Sequence, residues 1–91
     1  MLLVHALITV DLPYIHSLKG RRKVLASIKD RLKGKNMAVA DLSGEYAKEA
    51  VLAVAFFALG HNDANNKIAS LRRFLEESLP EASLTIDYEI L

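Results

Sequence analysis

Hydrophobic and polar positions alternate cleanly at both ends of the chain. From Leu2 to Leu12, Val4, Ala6, Ile8, Val10 and Leu12 fall on one side. Leu3, His5, Leu7, Thr9 and Asp11 fall on the other. A period of two predicts a strand, with its apolar side against helices and its mixed side half exposed. Pro13 ends it, having no N–H for a ladder. From Ser83 to Ile90 the same alternation sets Leu84, Ile86, Tyr88 and Ile90 against Thr85, Asp87 and Glu89, predicting an edge strand with one wet face.

Between these ends the period changes. Leu18, Leu25, Ile28 and Leu32 recur at helical spacing, with Val24 widening the stripe. Ser17 is the predicted N-cap and Gly34 the predicted residue just past the helix end. Gly20, in the first turn, is a weak spot costing up to roughly 1 kcal/mol against Ala. A short strand over Asn36 to Leu42 follows, then a turn at Ser43-Gly44 and a polar connector over Glu45 to Glu49. Ala50 to Leu59 is apolar on both faces, as a central strand would be. A second helix, capped by Asn62 or Asp63, carries Ala64, Ile68, Leu71 and Leu75 on one face, runs to about Leu79 and stops at Pro80.

The order β-α-β-β-α-β over residues 1–91 is the plan of a single ferredoxin-like α+β domain. Right-handed crossovers place both helices on one face of a four-stranded antiparallel sheet in order 4-1-3-2. Ile8, Val10, Leu25, Ile28, Leu71, Leu75 and Ile86 are expected to meet in its core. Leu3, Leu7 and one of Phe56 or Phe57 would then remain as an apolar surface, and the open sheet face or an edge strand is expected to mediate a homodimer.

Composition changes this picture in two ways. With no cysteine, disulfides, thiolate metal sites and Cys nucleophiles are excluded. The longest apolar runs, Met1–Val10 and Ala50–Leu59, are too short to span a bilayer, and no signal-peptide pattern opens the chain. A soluble cytoplasmic protein is expected. Charge is more informative. The net is +1, but residues 1–18 carry −1, 19–35 carry +7 and 36–91 carry −5.

That segregation points to an anionic partner of the first helix. Ser17, Lys19, Arg22, Lys29 and Lys33 are the candidate anion- or RNA-binding residues. His16, Arg21 and Lys23 are contributors. The helix N-terminus, with free N–H groups and a positive dipole end, would receive one phosphate. The opposing expectation is internal pairing. Glu76 and Glu77 end a helix antiparallel to the first and would neutralise Lys19, Arg22 and Lys23. The first strand has no aromatic residue with which to build a base-stacking sheet, and no Gly-x-x-Gly loop is present, so the helix would carry any RNA contact.

Here the residues resemble a known family. His16-Ser17-Leu18-Lys19 followed by Arg21-Arg22, then Lys29-Asp30-Arg31-Leu32 and the closing Asp87-Tyr88-Glu89-Ile90-Leu91, are similar to the YlxP-like family of small bacterial proteins. Gly20 stands where a charged residue is usual and Tyr46 where Trp is expected. The resemblance implies a ferredoxin-like fold and a bacterial cytoplasmic protein. Through gene neighbourhood in some bacteria, it also implies an association with translation initiation and small-subunit maturation. It implies no activity and no catalytic residues.

The first functional expectation is therefore a noncatalytic module binding RNA or a ribosome-associated protein. The second is a self-associating module without an anion site. The third is a phosphate-ester hydrolase in the loop from Pro13 to Arg21, using His16 and Arg21. No cofactor or metal is expected. His5, His61 and Glu89 approach one end of the sheet in this topology, but separate surface histidines are the simpler reading.

Overall fold

The computed structural model describes residues 1–91. Strand β1 (Leu2–Asp11) leads into helix α1 (Leu18–Gly34). Strands β2 (Ala38–Asp41) and β3 (Glu49–Ala58), helix α2 (His61–Ser78) and strand β4 (Ser83–Ile90) follow. The antiparallel sheet has the order β2-β3-β1-β4, the order expected, with β1 and β3 central.

Register explains the core. Val4 lies opposite Phe56, and Ile8 lies between Leu52 and Ile86. The even-numbered residues of β1 and β3 therefore share one face, and all of them from Val4 and Ala50 onward are buried. Leu25, Ile28 and Leu32 of α1 and Ala64, Ile68, Leu71 and Leu75 of α2 close over that face. All seven residues expected in the core are in it. Phe56 is buried and Phe57 is exposed, which resolves the aromatic pair.

The helix ends depart from expectation in instructive ways. Ser17 does cap α1, its Oγ accepting the Gly20 N–H at 3.0 Å. A Cβ at Gly20 would sit 3.1 Å from that oxygen, so the glycine gives the cap room. Gly34 is helical rather than past the end. The left-handed residue is Asn36, with φ of 62°. Asn36 donates to the Lys33 carbonyl and Met37 to that of Leu32, a pairing that closes the last turn and tucks Met37 into the core. Asparagine tolerates this conformation better than most residues.

At α2 neither Asn62 nor Asp63 is the N-cap. Gly60 occupies that position, and Asp63 reaches back from the first turn to accept the Leu59 N–H at 2.8 Å. That hydrogen bond, joined by the adjacent Lys67 and outweighing a little desolvation, holds the Asp63 carboxyl below its ordinary range. No helix is long and apolar enough to cross a membrane.

Candidate functional site

The basic residues of α1 divide by their angle about the helix axis, at 3.6 residues per turn. Arg31 and Lys35 lie on the α2 side, each 5.2 Å from the centre of the Phe74 ring. Arg22, Lys29 and Lys33 lie on the opposite flank, toward the β2 edge, with Lys19 and Lys23 turning outward from it. Lys19, Arg22, Lys23 and Lys33 are exposed and Lys29 is half-buried.

None of these five cations forms an ion pair. The one ion pair in the protein joins Lys67 to Asp63 at 3.3 Å. The expected neutralisation by Glu76 and Glu77 therefore does not occur. Helix α2 packs on the Phe74 side of α1, while Lys19 and Arg22 point the other way. Asp30 of α1 lies on the outer side of the same helix without an ion pair, and Asp41 of β2 feels the charge of Lys29. Partial burial pushes its carboxyl up, but hydrogen bonds from Ser43 and the charges of Lys29 and Arg21 outweigh this and hold it below its ordinary range.

Arg21 does not belong to the surface stripe. It is 6% exposed and turned under the helix. Its Nη1 donates to the carbonyls of Tyr46 at 2.8 Å and Glu49 at 2.9 Å, and its Nη2 to that of Gly44 at 2.7 Å. The guanidinium ties the β2–β3 connector to α1 and is committed there. The physical reason is its position. Arg21 lies three residues after Leu18 and four before Leu25, inside the apolar stripe.

His16 is also engaged. Its Nδ1 lies 3.3 Å from Lys48 Nζ, which donates to the carbonyls of Pro13 at 2.7 Å and Ile15 at 3.1 Å. Lys48 thus clamps the β1–α1 loop, a role its place in a polar connector did not reveal. With Arg21 withdrawn into the connector, the loop lacks one of the two side chains that the hydrolase expectation named, while His16 stays exposed beside Lys48. Ser17 spends a lone pair on the cap and keeps its hydroxyl proton for an outside acceptor.

No group of three or more His, Cys, Asp or Glu side chains is placed to hold a metal ion. His5 and Glu89 are cross-strand neighbours, with no third ligand beside them. The arrangement offers a row of unpaired cations along one helix flank. From Lys19 to Lys33 it extends about 21 Å.

Solved structures of low identity share the fold. A de novo designed protein with a ferredoxin fold superposes with a TM-score of 0.67 at 15% identity, covering 98% of this chain and 86% of that one. The designed protein Foldit4 gives 0.62 at 10% identity, with 96% of each chain covered. A dimeric ferredoxin-like protein from an uncultured marine organism gives 0.57 at 8% identity, covering 100% of this chain and 96% of that one. No curated protein matches the chain. A family profile described as protein of unknown function (DUF503) matches residues 4–88. With nearly its whole length inside that profile, the chain belongs to the DUF503 family of proteins of unknown function.

Proposed function

We propose that the protein is a noncatalytic RNA-binding module that engages phosphates through the outer flank of α1. The observation that carries this reading is the set of five cations, Lys19, Arg22, Lys23, Lys29 and Lys33, with no carboxylate within ion-pairing distance. Unpaired cations on a rigid helix give a strong, sequence-tolerant attraction for a phosphate backbone. Ser17 adds a hydroxyl donor at the end of the row. The resemblance to YlxP-like proteins favours ribosomal RNA over other polyanions.

Fluorescence anisotropy with a labelled small-subunit ribosomal RNA fragment and an unstructured RNA of equal length tests the reading. Binding at low salt is expected for both, because phosphate contacts position rather than specify. Charge removal at Arg22 and Lys29 is expected to weaken both alike. Absence of binding to either RNA at low salt removes RNA as a direct partner. Equal binding by wild type and Glu76→Gln with Glu77→Gln is also expected, since those carboxylates do not screen the row.

A further inference from the structure

The open face of the sheet is apolar at its centre. Ala53 lies opposite Ala40 and Ala55 opposite Ala38, making a shallow floor beside Leu7 and Phe57. Phe57 is 63% exposed and Leu7 37%. No element of the chain covers this floor, since both helices pack on the other side.

The charged strand residues of this face have a single sign, and the connector residue Lys48 lies beside Asp11 at one end. Asp87 and Glu89 line it along β4, next to Leu7 and His5. Asp11 and Glu49 face each other across β1 and β3 at one end, a like-charge pair that costs stability in an isolated sheet. The outward positions of the four strands hold no Lys or Arg.

The charge selects the occupant. Stacking a second copy on this face would put both sets of carboxylates, Asp11, Glu49, Asp87 and Glu89, into one interface without a cation from the strands of either copy. The expected homodimer is therefore the weaker occupant, and RNA is repelled by the same charges.

We propose that the open sheet face docks a basic amphipathic helix of another protein, with aliphatic or aromatic side chains on the alanine floor and Lys or Arg beside Asp87 and Glu89. A helix is about 10–12 Å across, which fits over β1, β3 and β2 and leaves its cationic flank along β4. This surface is separate from the α1 flank, so its occupancy does not depend on RNA binding.

The test uses the intact protein and two synthetic amphipathic helices of equal length, one of Leu and Lys and one of Leu and Glu, in calorimetric titrations. The Leu/Lys helix is expected to bind and the Leu/Glu helix not to bind. Ala53→Gln, which raises a polar side chain from the floor, is expected to weaken binding at least tenfold with the denaturation midpoint retained. Asp87→Asn with Glu89→Gln is expected to weaken binding several-fold and flatten its salt dependence. Glu76→Gln with Glu77→Gln, on the helix side, is expected to leave it unchanged. Equal binding of both helices, or loss through Glu76 and Glu77 instead of Ala53, overturns the proposal. So does a micromolar dimer in sedimentation that Ala53→Gln converts to monomer, which assigns the face to a second copy.

Discussion

Replacing Arg21 by Ala separates the two adjacent arginines of α1 and measures what the buried one does. Arg21 makes three hydrogen bonds of 2.7–2.9 Å to the carbonyls of Gly44, Tyr46 and Glu49. Bonds from a charged donor contribute about 1.5–3 kcal/mol each, which sets a ceiling near 4.5–9 kcal/mol. Two effects lower it. The guanidinium is desolvated and its Nε is buried without a partner, so removing the group recovers part of its burial cost. Gly44, Tyr46 and Glu49 are exposed residues, so water can reach carbonyls freed by the substitution. The expected net loss is about 2–4 kcal/mol, mostly through release of the connector. In urea denaturation followed by circular dichroism this is a midpoint fall on the order of 1–2 M, for an m-value near 2 kcal/mol per M. Arg21→Lys is expected to fall between, because one ammonium cannot span three carbonyls as the fork does. Arg22→Ala, on the exposed flank, is expected within about 0.5 kcal/mol of wild type. An Arg21→Ala loss below about 1 kcal/mol, or equal losses at both arginines, would refute the reasoning.

Two further outcomes follow from the packing and the electrostatics. Leu25 is fully buried between α1 and the sheet, so Leu25→Ala is expected to cost about 2–5 kcal/mol in the same assay, and less than 1 kcal/mol would contradict its placement. Asp41→Asn removes the carboxylate beside Lys29 and is expected to tighten RNA binding about two- to fivefold at low salt, the size of a surface charge effect. The Asp41 carboxyl is held below its ordinary range in the fold. Its contribution to stability is therefore present at neutral pH and is lost as pH falls through that depressed value. The stability gap between wild type and Asp41→Asn, expected to stay under about 1 kcal/mol, closes in acid, and a gap that widened there would contradict the assignment.

The topology was legible because the two strands with one wet face alternate without interruption, and because each helix keeps its apolar residues at helical spacing. β3 was harder. Being apolar on both sides, it left Phe56 and Phe57 interchangeable until pairing with β1 placed Val4 opposite Phe56. The helix ends were legible only by type. Gly34 is the customary stop, yet the left-handed position fell to Asn36, two residues on. The candidate site was half legible. Composition identified the cationic segment, but counting charges cannot separate Arg21 from Arg22. Helical phase does so, since Arg21 shares the stripe of Leu18 and Leu25. The orientation of α2 about α1 decided whether Glu76 and Glu77 could neutralise the row, and sequence spacing holds no information on that. Lys48 was invisible for a similar reason, its carbonyl partners at Pro13 and Ile15 being remote in the chain.

The most direct test of the RNA reading is the salt dependence of affinity for single-stranded RNA, compared between wild type and Arg22→Gln with Lys29→Gln. Each neutralised phosphate contributes about −0.7 to the slope of log affinity against log salt. Four or five engaged cations predict a wild-type slope of about −3, and loss of two predicts a variant slope shallower by about 1.4. The account predicts that difference with unchanged denaturation midpoints. Identical slopes for the two proteins would contradict it, because the phosphates would then be held by residues outside the α1 flank.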